Sequence, residues 1–323
     1  MTTLSHLPAT TDVGYGITCI DTEQERAGMA CCYLIEQDGE AALVDCGTSP
    51  GADRLLAVLR SRGIAPEHVR YLMPTHVHLD HAGAAGVLMR QLPNAQLIAH
   101  PRAARHLIDP SKLIEGAIAV YGADAVRLAY GQILPVDAAR VVIADDGHRL
   151  TLGAARELLL LDTPGHARHH YSVWDAQSRG FFTGDTFGIS YREFDGPQGP
   201  WLMPTTTPVQ FEPDAWEQTL DRYLSFAPQR MYLTHYGCVE DIARLAYDLR
   251  AGLCDYQHLA MSIEARGAAR HAGIRDAIEN WSLAALRRHG APVDEQQARR
   301  LLAADMELNA QGLGVWLDRQ AAA

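Results

Sequence analysis

Thr75-His76-Val77-His78-Leu79-Asp80-His81-Ala82-Gly83 is the stretch on which the reading of this chain turns. Four metal-binding side chains, His76, His78, Asp80 and His81, fall within six residues. Imidazole and carboxylate are ligands for borderline metals such as zinc, iron or manganese. Apolar Tyr71-Leu72-Met73 before the cluster predicts a short buried strand, and Ala84 to Leu92 after it predicts a helix. The cluster therefore falls in a strand-to-helix loop, where function concentrates. A His-rich surface loop is the bland alternative, but four donors at this density in such a loop favour a metal.

Four donors in one loop rarely complete a working site, and further donors stand at the ends of later apolar runs. Leu158-Leu159-Leu160-Leu161 predicts a buried strand and leads into Asp162-Thr163-Pro164-Gly165-His166. Phe181-Phe182-Thr183 leads into Gly184-Asp185-Thr186, and Met231-Tyr232-Leu233-Thr234 into His235-Tyr236-Gly237. Each run is apolar, bounded by turn residues, and ends in a donor. Taken alone, Asp185 reads as a turn residue, and His235 is evenly balanced. Three such donors in order, behind the loop cluster, point to one assembled site.

The set H-x-H-x-D-H-A-G, P-G-H, G-D-T and T-H-Y-G resembles the metallo-β-lactamase superfamily over roughly residues 12 to 240. The resemblance implies a four-layer αββα sandwich of the α/β class, with the metal site at one edge between the sheets. It implies two divalent metal ions, zinc in the first place, with iron or manganese as alternatives. The first ion would take His76, His78 and His166, and the second Asp80, His81 and His235. Asp185 would bridge both, together with a water or hydroxide. Asp45, in Leu43-Val44-Asp45-Cys46-Gly47, matches an early Asp-x-Gly turn that orients the metal loop in the family.

Composition sets the outer bounds. At 323 residues, the chain exceeds one typical core, which predicts a catalytic domain over 1–238 and an α-helical extension over 239–323. Net charge is -11, with no block of Lys or Arg, and this disfavours nucleic acid as a partner. The first sixteen residues lack a basic start and an apolar core, and no run reaches membrane-spanning length. A soluble cytoplasmic protein with a small-molecule substrate is expected. The six cysteines form no C-x-x-C pair and read as reduced structural thiols, with Cys238 close enough to His235 for a supporting role.

Along the chain, candidate strands at Gly16 to Ile20, Cys31 to Glu36, Ala41 to Val44 and Gln96 to Ala99 alternate with helical patterns at Ala52 to Arg62 and Pro101 to Tyr130. Strands return from about Arg149 to Phe182. Residues 186–212 are rich in Gly, Pro and aromatics, including Tyr191, Trp201 and Thr205-Thr206-Thr207-Pro208, and predict a lid or substrate wall. The tail carries three or four amphipathic helices, split by Gly290-Ala291-Pro292. It would either cover the pocket or form a homodimer interface.

The chemistry expected of two ions about 3.5–4 Å apart is hydrolysis by a shared hydroxide, with one ion polarising the substrate oxygen. Asp80 or Asp185 would shuttle the proton, and Tyr191 or Tyr236 would donate to the oxyanion. Authentic β-lactamases of the family have Cys where Asp185 stands. Glyoxalase II enzymes share G-D-T but continue differently from Phe187-Gly188-Ile189-Ser190. Acyl-homoserine lactonases have Tyr at the place of Gly188. A metal-dependent hydrolase of an ester, thioester or lactone is the primary expectation, and a di-iron oxygen-binding or sensing protein is the alternative. His78 and the helical tail argue against flavodiiron proteins, which carry Glu at the position of His78. His169 and His170 are candidates for support of the site, whereas His100, His106, His148, His258, His271 and His289 read as ordinary residues.

Overall fold

The computed structural model describes residues 7–206 and 209–322. Thr207 and Pro208 of the Gly- and Pro-rich stretch, and the first six residues of the amino terminus, lie outside the described residues. By compactness the chain divides into two units. The first comprises Met1–Asp162, His169–Gly184 and Pro228–Cys238; the second comprises Thr163–Arg168, Asp185–Ala227 and Val239–Ala323.

The strands form two mixed sheets. The first holds β1 (Thr10–Asp12), β2 (Ile17–Asp21), β3 (Cys31–Gln37), β4 (Glu40–Val44), β5 (Val69–Met73), β6 (Gln96–Ala99) and β7 (Val141–Ile143), paired in chain order. The second holds β8 (His148–Leu152), β9 (Arg156–Asp162), β10 (Tyr171–Asp175), β11 (Gly180–Gly184), β12 (Arg230–Leu233) and β13 (Gly237–Val239), in the order β13-β12-β11-β10-β9-β8. Pairing is antiparallel through the β1–β4 meander, and parallel from β4 through β7 and between β11 and β12. Asp38-Gly39 turns β3 into β4, both residues at positive φ (50° and 81°), which Gly adopts freely and Asp tolerates.

Period-two alternation sorts each strand of the first sheet between two cores. Cys31, Tyr33 and Ile35 of β3, Ala42 and Val44 of β4, Met73 of β5 and Ile98 of β6 project inward. There they meet Leu158 and Leu160 of β9, Tyr171 and Val173 of β10, Phe182 of β11 and Tyr232 of β12. Tyr33, Phe182 and Tyr232 form an aromatic cluster at this seam, with centroids 4.6–5.5 Å apart. The intervening residues Cys32, Leu34, Ala41, Leu43, Leu72 and Leu97 face outward. They bury the apolar faces of α1 (Ala52–Ser61), α3 (Ala85–Gln91) and α4 (Ala104–Ile108). Each fully buried Leu or Ile contributes about 1.5–3 kcal/mol. Between α1 and α3 stands a single-turn helix α2 (Leu79–Ala82), and α5 (Ser111–Tyr121) and α6 (Ala123–Tyr130) follow α4. This is the predicted sandwich.

The second unit is helical. It contains α7 (Pro213–Ser225), α8 (Ile242–Met261), α9 (Gly267–His289) and α10 (Glu295–Ala322), together with the aromatic loop after Asp185. Tail helices thus number three, and Gly290, in the left-handed region at φ 75°, ends α9. Buried Leu245, Leu249, Leu253, Tyr256, Ile274, Ile278, Leu302 and Met306 supply their packing faces. The aromatic loop is itself ordered by backbone pairing of Ile189 with Met203 and of Gly196 with Gly199. Among the described residues, no helix is long and apolar enough to cross a membrane.

One charged pair is sealed in the first unit. The Arg156 and Asp175 side chains are both 0% exposed and meet in a two-pronged ion pair, 2.6 Å at the shorter contact, while Arg156 Nη1 donates to the Tyr15 carbonyl at 2.7 Å. Removing one partner strands a buried charge, which costs about 3–5 kcal/mol, whereas replacing both by apolar residues is often neutral. Asp175→Ala is therefore expected to lower stability by that amount in urea unfolding, and the double variant Arg156→Met/Asp175→Leu by much less. Equal loss in both would show that the pair itself is not the cause.

Candidate metal centre

The metal-loop residues are placed by the carboxyl ends of β4, β5 and β12. β5 ends at Met73, the chain runs on through Thr75 to His78, and α2 begins at Leu79. Asp80 and His81 therefore ride on a helical turn rather than an open loop, as helical structure begins at Leu79, five residues before the expected start at Ala84. Just past β4, Asp45 is 1% exposed and sits at φ 56°. That region favours Gly but accepts Asp. Its carboxylate is surrounded by donors: Oδ1 accepts from the Thr75 N–H at 2.7 Å and the Thr75 hydroxyl at 2.9 Å. Oδ2 accepts from the Thr234 hydroxyl at 2.6 Å and from His81 Nδ1 at 2.8 Å.

These bonds orient the histidine rings. A carboxylate has no proton to give, so His81 carries its proton on Nδ1 and presents the Nε2 lone pair. His235 Nδ1 faces the Met29 carbonyl at 3.0 Å, with the same consequence. The Thr75 hydroxyl spends its proton on Asp45, so it accepts from His76 Nδ1 at 3.1 Å, and His76 Nε2 faces the other way. That nitrogen lies 2.7 Å from His78 Nδ1. In the second unit His166 Nδ1 donates to the Thr205 carbonyl at 2.8 Å, leaving Nε2 toward Asp185 Oδ2 at 3.4 Å.

Within the first unit, three ligand-type side chains converge. Asp80 Oδ2 lies 3.2 Å from His235 Nε2 and 3.5 Å from His81 Nε2. The ligand atoms of Asp80, His81 and His235 all lie within 4.8 Å of one another. Three donors, the two imidazoles each oriented by an outward partner, fit a divalent ion by chemistry and by spacing. Close approach of the chain is needed as well. Gly184, the last residue of β11 at φ 48°, has no room for a side chain: a Cβ there would stand 2.5 Å from both His170 Nε2 and Thr75 Oγ1.

A family model described as the metallo-beta-lactamase superfamily matches residues 26–235. The chain belongs to this superfamily. Among curated relatives, the metallo-beta-lactamase fold-containing protein ST1585 of Sulfurisphaera tokodaii is 31% identical over 172 residues, 52% of this chain and 61% of that protein. The chain thus spans about three fifths of that relative in sequence. The crystal structure of ST1585 matches with a TM-score of 0.64 at 22% identity, over 93% of this chain and 98% of that one. A hydroxyacylglutathione hydrolase of Anaeromyxobacter dehalogenans is 34% identical over 96 residues, 30% of this chain and 35% of that enzyme. A chemotaxis sensor described in a peroxy di-iron state shares the fold, with a TM-score of 0.53 at 14% identity, over 76% of this chain and 94% of that one.

The remaining site candidates of this metallo-beta-lactamase-fold chain fall in packed surroundings. Tyr191 is 2% exposed, and its hydroxyl lies 3.2 Å from each carboxylate oxygen of Asp305 on α10. Tyr236 is half-buried against the inter-sheet core, beside Cys238. Both His169 and His170 are buried, with rings 6.1 and 5.0 Å from that of His76. His100 is also buried, bonded to Asp162 at 3.0 Å. Burial and then the Asp45 charge push the Cys46 thiol up, so it stays protonated and lies 3.1 Å from the His81 carbonyl, as a donor. Sequence spacing missed Thr75 and Thr234, since a Thr beside a His carries no signal until the fold turns it toward Asp45.

Asp45→Ala leaves four donors without an acceptor, at about 1–3 kcal/mol for each that stays buried and unsatisfied. It also releases His81 directly and His76 through Thr75. Metal affinity is expected to fall by about 10–100-fold, the usual effect of losing an orienting partner. Metal analysis after dialysis against a weak chelator checks this; unchanged retention in a folded variant would contradict the orienting role.

Proposed function

We propose that this chain is a dinuclear metal-dependent hydrolase that cleaves an ester, thioester or lactone of a small molecule. The observation that carries the reading is the arrangement of the rings: His76, His81, His166 and His235 each set Nδ1 against an oxygen at hydrogen-bond distance and turn Nε2 toward another ligand-type side chain. On the family's pattern, one ion would be held by His76, His78 and His166, the other by Asp80, His81 and His235, and Asp185 would serve both. Bound there, two divalent ions would lower the pKa of a captured water toward neutrality and polarise the substrate's acyl oxygen.

The chain's own residues supply orientation and proton traffic. Asp80 keeps 24% of its side chain exposed beside buried His81 and His235, so it is the carboxylate suited to pass a proton to solvent. An aspartate at position 185, where authentic β-lactamases of the family have cysteine, turns the reading away from penicillins. Sequence likeness to a hydroxyacylglutathione hydrolase supports an acyl substrate, in particular a thioester. A second reading, a di-iron oxygen-binding protein, draws on the shared fold of the di-iron chemotaxis sensor.

Elemental analysis, the visible spectrum of aerobically purified protein, and a panel of esters, thioesters and lactones separate the two. A colourless protein with two ions and turnover is expected; a coloured di-iron protein inert to the whole panel would decide for the sensor. His78→Ala and Asp185→Ala are expected to lose bound metal and more than about a hundredfold of the hydrolysis, beyond the usual effect of an outer partner. Turnover that survives with normal metal content would overturn the assignment.

A further inference from the structure

Within the second unit, the helical tail reaches the loop beside His166 through one amide. Asn309, on α10, is 1% exposed, and Asn is a poor helix former because its side chain competes for backbone hydrogen bonds. A buried amide is also costly unless its polar atoms are satisfied. Here they are, by the end of the aromatic loop. Asn309 Oδ1 accepts from the Thr206 N–H at 2.6 Å and lies 3.2 Å from the Thr206 hydroxyl, which is also 3.0 Å from the Asn309 carbonyl. Asn309 Nδ2 donates to the Pro204 carbonyl at 3.2 Å.

The Thr206 N–H and the Thr205 carbonyl belong to the same peptide group. That group is planar, and its N–H and C=O point to opposite edges. On one edge stands Asn309 Oδ1, and on the other stands His166 Nδ1, 2.8 Å from the Thr205 oxygen. Asn309 thus fixes the rotation of the very peptide that orients His166. The bond at the N–H also polarises the carbonyl and strengthens it as an acceptor. The Pro204 contact pins the preceding peptide, so the plane is held on that flank as well.

Other contacts of α10 lead to the same place. Asp305, one helical turn before Asn309, faces the Tyr191 hydroxyl near the other end of the loop. Trp316 packs on Phe211 at 6.2 Å, Phe211 on Trp216 at 6.1 Å, and the Trp216 ring meets His166 edge-on at 6.1 Å. Arg319 donates to the Phe211 carbonyl. Gly165, next to His166 at φ 135°, admits the Trp216 backbone, to which a Cβ would come within 2.6 Å.

We infer that Asn309 is a positioning residue for His166, acting through the Thr205–Thr206 peptide, so that α10 is a structural part of the metal centre. This rests on His166 being a metal ligand. Full-length protein reconstituted with Co²⁺ tests it, by Co²⁺ stoichiometry, chelator competition and visible absorption. His166→Ala should lose one of two Co²⁺ equivalents. Asn309→Leu, near in volume but with none of the three side-chain bonds, should bind one equivalent about 10–100-fold more weakly, with altered cobalt bands and the other equivalent unchanged. Asn309→Asp keeps the acceptor for the Thr206 N–H and should restore the wild-type spectrum and most of the affinity. Rescue by aspartate separates positioning from mere packing. If the leucine variant fails to fold by circular dichroism, Asn309→Ala is read by the same criteria, and aspartate alone must still match wild type. Wild-type cobalt binding in Asn309→Leu, alongside loss in His166→Ala, would overturn the inference while sparing the metal reading. Retention of both equivalents by His166→Ala would overturn both.

Discussion

A single buried carboxylate governs the geometry of the metal loop. Asp45 is nearly inaccessible, and burying a charge is costly unless it is fully paired or hydrogen-bonded. Four donors repay that cost: a backbone N–H, two threonine hydroxyls and an imidazole N–H. They come from different segments of the chain, the one after β5, the turn of α2 and the end of β12. One anion therefore gathers three strand ends, and in doing so it orients two histidines. His81 is held directly; His76 is held through Thr75, whose single proton is already spent.

The sandwich makes such a convergence possible. Parallel pairing of β4 with β5, and of β11 with β12, sends the carboxyl ends of paired strands to the same side. Asp45, Thr75, Thr234 and Asp185 each follow such an end in sequence, by one or two residues. Donors far apart in the chain are thereby set against one another by hydrogen-bond register. The aromatic seam of Tyr33, Phe182 and Tyr232 lies just behind those ends, and Tyr33 Oη donates to the Leu233 carbonyl at 2.6 Å. The core thus holds the same β12 terminus that carries Thr234 and His235.

Much of this was legible from residue patterns, because the candidate ligands sit where patterns are strongest. Apolar runs ending in Thr, Asp or His mark β5, β9, β11 and β12, and each ends within a residue or two of its expected place. The elements that escaped are of a different kind. β1 is three exposed polar residues, TTD, ordered only by pairing with β2. β7 and β13 are three residues each, too short to show alternation. α7 carries its signature, Pro213 at its first turn and a buried face of Trp216, Leu220 and Tyr223, but it lies beside the Gly- and Pro-rich stretch that drew attention to loop structure. Asn309 was illegible for a deeper reason: on sequence it is one polar residue in an amphipathic helix, and its partners lie more than a hundred positions away.

The last point bears on what a helical extension is for. Covering a pocket and forming an interface are both roles for a surface, and amphipathic stripes advertise surfaces. The contacts of α10 are of another sort, since a buried amide, a carboxylate and an indole are spent on the loop between Asp185 and α7. A loop rich in Gly, Pro and Thr has no regular hydrogen-bond ladder to hold it, and each buried peptide group in it still needs a partner. A helix that supplies those partners converts a flexible sequence into a fixed one. For His166, the proposed metal ligand, that conversion is decisive: the ring's tautomer depends on a carbonyl within the loop, and a carbonyl that rotates cannot select a tautomer.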